Sequence, residues 1–315
     1  MVYVVIPNYN GLRHLRDCFD SLVKQSYKEF KVVLVDNNSS DESIEFTNRY
    51  YPGVIVIKLD KNTGFAKAVN EGIKFALKDI NTKYVILLNN DIECDENFIS
   101  ELVKGVEENE CSSCASKMLN FYDRTKIDDT GDFIKKKGSP FARGHSEKDK
   151  GQYNTSEYIF GPCAGAAIYK REVFPTVGFF DEDFFAYYED IDFSFRMQLY
   201  GLKCYYNPKA ICYHKRGATT KDKIGFETEL CEKNLIALRI KNYPLSLLLK
   251  YELFFFFARF RRYYYFYRDF SFQVFKSAVK GYFRGLLEIP ISLSKRSEIQ
   301  RSKSVSNYYI ENLFR

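Results

Sequence analysis

Five segments of this chain place polar groups where a ligand or a reaction could use them. Four are short: Pro7-Asn8-Tyr9-Asn10, Asp36-Asn37-Asn38, Asp60-Lys61-Asn62-Thr63-Gly64 and Asn89-Asn90-Asp91. A carboxylate such as Asp36 can accept a base N–H or a hydroxyl proton. The carboxamides of Asn8, Asn10 and Asn62 offer donor and acceptor together, and Gly64 lets backbone approach a ligand closely. Asp91 can bind a hard divalent cation, with phosphate oxygens filling other positions. On an extended chain residues 89, 91 and 93 share a face, so Glu93 could assist it. The fifth segment, Phe179 to Asp192, packs carboxylates among large aromatics. Burial and neighbouring charge tune a carboxyl group into a general base, and Glu189 and Asp190 are the candidates. Each segment also has a plain reading. Asn, Asp and Gly are turn residues, Asp91 could cap a helix beginning near Glu96, and Glu189-Asp190 could simply begin a helix.

The surrounding elements decide between these readings. Val2–Ile6, Val32–Val35, Val54–Leu59 and Tyr84–Leu88 read as strands. Leu12–Gln25, Asp41–Tyr50 and Ala66–Leu77 read as helices between them, the second with Ser39, Ser40 or Asp41 as its cap. Such alternation predicts right-handed crossovers and a parallel sheet covered on both faces. Ligands of such sheets bind beyond the carboxyl ends of the strands. The four short segments follow the four strands, so they fall together on one rim, and that rim suits a nucleotide. Beyond it, 121–157 reads as a polar excursion with loops. Ile159–Tyr169 and Leu202–Tyr213 read as strands, Ile191–Tyr200 as a helix, and the chain after Gly217 as long helices.

Composition sets the limits. The chain has 315 residues, with 45% hydrophobic and 28% charged, ordinary for a folded protein of about two domains. Its net charge of +6 is uneven: residues 241–315 carry 14 Lys/Arg against 5 Asp/Glu, leaving the rest net acidic. An acidic body argues against nucleic acid as a partner. The eight cysteines show no disulfide spacing. The apolar start, interrupted by Pro7, reads as a buried strand rather than a signal peptide. A cytoplasmic chain with free thiols is therefore expected. A zinc set from Cys111, Cys114, Cys212 and His214 would rest on a single CxxC, which is weak evidence. His14 reads as a helical residue near the surface and His145 as a loop residue. There is no Walker loop, Gly-x-Ser-x-Gly elbow or Gly-x-Gly-x-x-Gly after the first strand. The basic, glycine-rich phosphate loop of a nucleotidyltransferase is missing there too.

Taken in order, these stretches resemble inverting family 2 glycosyltransferases of the GT-A fold, in particular their rhamnosyltransferase-like branch. They are Val4 to Asn10, Val33 to Asp41, Asn62 to Ala66 with Asn70 and Gly72, Leu87 to Asp91, Gly151-Gln152-Tyr153, Gly165 to Ala167, Gly178 to Glu182, Phe185 to Asp192 and Tyr213-His214. The resemblance covers roughly residues 1–220. It implies a nucleotide-sugar-binding half over 1–110, an acceptor-binding and catalytic-base half over 111–220, and a helical region over 221–315. It further implies that Pro7, Asn8, Tyr9, Asn10, Asp36, Asn38, Asn62, Gly64, Phe65, Asn89 and Asn90 hold the donor. Asp91 would bind Mg²⁺ or Mn²⁺, His214 would complete the metal site, and Asp190, paired with Glu189, would be the base. The implied acceptor is a hydroxyl of a glycan or lipid-linked glycan in cell-envelope polysaccharide synthesis. The chain departs from the family at the metal motif, where Asn89-Asn90-Asp91 keeps one carboxylate of Asp-x-Asp. A polyprenyl-phosphate sugar synthase and a non-catalytic carbohydrate-binding protein are the alternatives; retention of Asp91 and Asp190 argues against the second.

The tail carries a separate signal. Leu253, Phe256, Phe257, Phe260, Tyr264, Tyr267, Val274, Ala278 and Tyr282 fall on one helical stripe, away from Arg259, Arg262, Lys276 and Lys280. An apolar face opposite a basic one suits a helix lying on anionic lipid, on the cytoplasmic face of the cell membrane. A helix packed on the body, or one forming a dimer, would give the same pattern. No apolar stretch is long enough to span a bilayer.

Overall fold

A computed structural model describes residues 1–136, 138–216 and 224–315. The first strands and helices alternate as expected. They are β1 (Val2–Asn8), α1 (Leu12–Val23), β2 (Phe30–Asp36), α2 (Ser43–Tyr50), β3 (Ile55–Lys58), α3 (Gly64–Lys78) and β4 (Tyr84–Leu88). The short β5 (Ile92–Cys94) and α4 (Phe98–Glu107) follow. Strand β1 pairs in parallel with β2 and β4, and β2 with β3. The chain then adds β6 (Ser113–Asn120), β7 (Ile127–Asp129), the hairpin β8 (Asp132–Ile134) and β9 (Pro140–Ala142), β10 (Glu157–Ile159), β11 (Ala166–Lys170) and β12 (Cys204–His214). The main sheet runs β10-β12-β6-β11-β4-β1-β2-β3, with β11 antiparallel to both neighbours. It is therefore mixed: parallel along the first four strands, and reversed where β11 is inserted.

Period-two alternation puts the two faces of β1 into different cores. Val2, Val4 and Ile6 pack with Leu15, Phe19, Phe98 and Leu102 beneath α1 and α4. Tyr3 and Val5 pack with Val69 and Ile73 of α3 and with Phe180 and Phe193. Strands buried on both faces read as continuous apolar runs, as these do.

Three expectations need correction. The single strand over Ile159–Tyr169 is two, β10 and β11, separated by a turn that contains Gly161 and Pro162. Proline cannot donate to a ladder, and the pair breaks the run. Helix α2 begins at Ser43, two residues beyond Asp41, whose Oδ1 accepts from the Ser43 amide at 3.2 Å. The tail stripe does not stay on one helix. α8 (Leu245–Tyr265) passes through a wide turn over Phe266–Phe270 and ends at Ser271. That residue is fully extended, and its hydroxyl caps α9 (Phe272–Leu287) by accepting from the Val274 amide. After this break α9 turns back onto α7 (Phe226–Asn242), burying Ala278, Gly281 and Gly285.

The remaining helices are α5 (Val173–Val177), α6 (Glu189–Leu199), α10 (Ile289–Arg301) and α11 (Asn307–Asn312). A third core, around Phe195, Tyr243, Phe255 and Phe314, joins α6 to the tail helices. The tail thus packs on the body along one side. The expected division near residue 220 lies outside the described residues.

Candidate active site

The ends of β1, β2 and β4 are wired together by carboxamides. Asn90 donates to Asn8 Oδ1 at 2.6 Å, and Asn8 donates to Asp36 Oδ1 at 3.0 Å and to Ser39 Oγ at 3.2 Å. Asp36 Oδ2 accepts the Ser39 amide at 2.9 Å. Asp36 is fully buried, so its carboxylate first serves to build the rim. Asn10 and Asn38 both take left-handed backbone, which Asn tolerates, and Asn10 Oδ1 receives the Ser40 amide at 2.7 Å. Pro7, Tyr9 and Phe65 stay partly open, as does Asn89.

The next loop closes on the same rim. Asn37 donates to Asn62 Oδ1 and to the Gly64 carbonyl, and Asn62 Oδ1 accepts the Gly64 amide at 3.0 Å. Gly64 has φ +83°, and a Cβ there would collide with the carbonyl oxygen and ring of Phe185. Only glycine allows this approach. It brings the Asn62–Phe65 loop against the turn that leads to Asp190, and Ala66 donates its amide to that same Phe185 carbonyl.

That turn is strained. Phe185, Tyr187 and Tyr188 all have positive φ, unfavourable for bulky residues. Helix α7 holds it: the Asn234 amide group reaches the carbonyls of Phe184, Ala186 and Tyr187, and Lys233 Nζ donates to the carbonyl of Asp183. Two helical turns on, Lys241 pairs with Asp181 and, at 2.7 Å, with Asp192. Asp192 also takes Arg196 at 3.0 Å and the Asn242 amide group at 2.7 Å. The tail therefore braces the first turn of α6.

Asp190 and Glu189 begin that helix. Asp190 Oδ2 accepts the Ala164 amide at 3.3 Å, and the adjoining Gly165 carbonyl accepts the Asn89 amide at 2.8 Å. Two consecutive residues, Ala164 and Gly165, thus join the end of β4 to Asp190. Burial raises the Asp190 pKa above the ordinary carboxylate value, against the backbone amides that lower it. Burial, with the Asp190 charge added, pushes Glu189 well up, and among the described residues Glu189 Oε2 has no hydrogen-bond partner.

Asp91 is buried beside His214. β5 pairs antiparallel with β12 so that His214 lies opposite Ile92, and the Lys215 amide bonds the Asp91 carbonyl. His214 Nε2 lies 3.3 Å from Asp91 Oδ1, and Nδ1 lies 2.7 Å from Asp128 Oδ2. Arg216 holds the other Asp128 oxygen at 2.6 Å. Burial alone would lower the His214 pKa, but the two carboxylates outweigh it and raise it to about 9. Burial likewise opposes ionisation of Asp128, yet His214 and Arg216 bring it down to about 2. The charge of Arg216 also reaches Asp190, so one electrostatic network runs from Asp91 through His214, Asp128 and Arg216 to the base candidate.

Other expectations change. Glu93 does not assist Asp91; its carboxylate pairs with Arg124 at 3.0 Å. His14 is buried rather than near the surface, within the field of Asp91, and burial lowers its pKa. The zinc set is not assembled. Cys111 and Cys114 lie in a core, Cys212 contacts Ser116, and His214 faces two carboxylates. All eight cysteines are free thiols. The group of metal-capable side chains gathered among the described residues is instead Asp129, Asp132 and Cys163, near Asp190. Burial raises both Asp129, to about 7, and Asp132. Asp128, Asp129, Asp132 and Arg216 were missed from sequence. Their signal was faint: three Asp around Gly131, bracketed by Ile127 and Phe133-Ile134.

An aspartate oxygen and a histidine nitrogen held together by burial suit a divalent cation. With Asp128 at Nδ1, Nε2 is the nitrogen on the side of Asp91, the arrangement that would suit a metal-bound histidine.

Comparison with known proteins agrees with this reading of the fold. The family model "Glycosyl transferase family 2" matches residues 3–178. Glycosyltransferase GlyG of Streptococcus pneumoniae serotype 4 is 28% identical over 124 residues, covering 38% of this chain and 40% of its own. The low-salt glycan biosynthesis hexosyltransferase Agl10 of Haloferax volcanii is 25% identical over 203 residues, covering 61% and 60%. The chain thus spans between two fifths and three fifths of the length of these relatives. Among solved structures, GalNAc-T7 with UDP, GalNAc and Mn²⁺ superposes with TM-score 0.64 at 16% identity, over 93% of this chain and 57% of that one. Staphylococcus aureus TarS 1–349 with UDP-GlcNAc gives 0.58 at 14%, over 96% and 90%. At these identities the neighbours show the GT-A fold.

Proposed function

Because the chain belongs to glycosyl transferase family 2, we propose that it moves a sugar from a nucleoside diphosphate donor to a hydroxyl of a glycan or lipid-linked glycan, with inversion. What supports this is the link between the two halves of the site. Asp190 accepts from the Ala164 amide while the next residue, Gly165, accepts from Asn89 just past the end of β4, and Asp91 lies three residues beyond the end of that strand. In this reading Asn8, Asn62 and Gly64, with their neighbours Pro7, Tyr9, Asn10, Asp36, Asn38, Phe65, Asn89 and Asn90, shape the rim for the nucleotide. Asp91 and His214 would hold Mg²⁺ or Mn²⁺, which when bound offsets charge on the diphosphate leaving group.

Asp190 would take the proton of the acceptor hydroxyl as that oxygen bonds to the anomeric carbon. The bond from that carbon to the diphosphate oxygen breaks on the opposite face, and the nucleoside diphosphate leaves. A raised pKa makes Asp190 a better proton acceptor than an ordinary carboxylate. Glu189, driven toward its neutral form, would leave Asp190 as the charged member of the pair.

Cell-envelope polysaccharide synthesis is the proposed setting, with dTDP-rhamnose, UDP-sugars and GDP-sugars as the donors to screen. The exposed face of α8 supports peripheral attachment to the membrane that carries a lipid-linked acceptor. Among the described residues no helix is long and apolar enough to cross a membrane.

The test is transfer from that donor panel with Mn²⁺ present, wild type against Asp190→Asn, with donor binding measured in parallel. The expected result is loss of transfer with binding kept. Full activity in the variant overturns the assignment of the base.

A further inference from the structure

Helix α8 buries only the ridge of Leu247, Tyr251 and Phe255, each four residues from the next. Leu245, Leu249, Leu253, Phe257 and Phe260 are all more than half exposed. An apolar stripe of this size on a folded surface marks an interaction site. At the Leu245 end it runs into a cavity of about 430 Å³ between the start of α8 and the helices α10 and α11. The cavity wall includes Arg296, Lys303, Ser246 and Ser297, with Leu245 and Leu293 exposed at its edge. Among the described residues its charged lining is entirely cationic. Arg296 is fixed by donating to the carbonyls of Ile240 and Tyr243 at 2.6 and 2.8 Å, so its guanidinium is set in place before any ligand arrives. The positive end of the α8 dipole lies at the same wall.

Cationic and hydroxyl groups in a recess, continuous with an aliphatic and aromatic stripe, match a molecule with a phosphate at one end and hydrocarbon at the other. We propose that this cavity binds the phosphate of a phospho-amphiphile whose chain lies along α8. The inference rests on the peripheral-membrane reading for its setting and adds the ligand chemistry. That phosphate has two sources, a bilayer phospholipid or the polyprenyl phosphate of a lipid-linked acceptor.

The test separates the cavity from the stripe. Dihexanoyl phosphatidic acid, below its micelle concentration, is titrated against the full chain. The wild type is compared with Ser297→Glu, an exposed position that places a negative charge in the cavity, and with Lys303→Ala. Saturable binding that weakens roughly tenfold or more in both variants, as expected for loss of a charge-assisted contact, supports the site. No saturable binding, or binding in either variant as tight as in the wild type, overturns it. Flotation on phosphatidylcholine vesicles doped with phosphatidylglycerol or with undecaprenyl phosphate then identifies the source. Where the wild type floats, the dopant whose recruitment Ser297→Glu selectively reduces is the ligand; if the variant then reduces recruitment by neither, the proposal fails. Phe257→Glu tests the stripe alone, with lower flotation and unchanged short-chain binding expected. If wild type fails to float yet binds the short-chain probe, the membrane reading falls and the phosphate site stands.

Discussion

The side-chain amide of Asn234, on α7, reaches the carbonyl oxygen of Tyr187 at 2.7 Å, and Tyr187 lies three residues before the proposed base. The same group serves the Phe184 and Ala186 carbonyls, so one buried carboxamide holds a turn with three unfavourable φ values. Asn234→Leu keeps the volume and removes the donors. Leaving buried carbonyls unmet costs about 1–3 kcal/mol, so a lower melting temperature is expected. The specific signature is a kcat reduced by tenfold or more with donor affinity kept, read from initial rates and calorimetric titration of the nucleoside diphosphate. Unchanged kcat would mean that the turn holds its shape without α7.

Gly64→Ala tests the contact between the donor rim and that turn. An L side chain at this φ costs about 1–2 kcal/mol before any collision, and its Cβ would displace Phe185. Donor affinity and kcat should fall together, because both sides of the contact move. A loss confined to stability would make Gly64 a folding residue only.

His214 and Asp128 give the proposed metal site a pH dependence. With a pKa raised to about 9, His214 is protonated at neutral pH in the metal-free protein, and a cation must displace that proton. Mn²⁺ affinity should therefore rise with pH, by up to tenfold per unit, and level off above about 9. Asp128→Asn removes the charge behind Nδ1 and should weaken Mn²⁺ binding by roughly 10–100-fold. Electron paramagnetic resonance of free Mn²⁺ over substrate-free protein reads both effects. An affinity insensitive to pH and to Asp128→Asn would place the metal elsewhere.

Asp129 gives a stability prediction of opposite sign to the usual carboxylate. Burial raises its pKa to about 7, so the folded state binds its proton more tightly than the unfolded chain does. Its contribution is fully present below the unfolded pKa and is lost as pH rises through about 7. In chelator, the wild-type melting temperature should decline between pH 5 and 8, and Asp129→Asn should flatten that decline. Equal slopes in the two proteins would count against a protonated Asp129.

The rim was readable because each strand ended in a short polar cluster, and strand order alone brings such ends together. Asp36 and Asp91 could be singled out without coordinates. Asp128 and Asp129 could not, because a polar stretch bearing glycine reads as solvated loop. What buries them is a three-residue pairing of β7 with β6, opposite Met118 and Leu119, a long-range contact with no local pattern. The role of α7 was hidden for a similar reason. Asn234 and Lys241 sit on one of the long helices expected after Gly217, and only packing reveals that these polar residues are buried against the body. The tail stripe was legible in composition but not in extent, since one extended serine ends it.

The ion pairs of the tail bear on how it would adhere. Arg262 pairs with Glu232, Lys280 and Arg284 with Glu229, Lys250 with Glu311, and Lys295 with Asp181 and Asp183. Much of the positive charge visible in composition is thus neutralised within the chain, leaving aromatic and aliphatic side chains to make the larger contribution. Electrostatic adhesion dissolves in brine, whereas hydrophobic adhesion does not. Vesicle-bound protein should accordingly withstand a molar-salt wash and come off in mild detergent, behaving more like an oily label than a counter-ion.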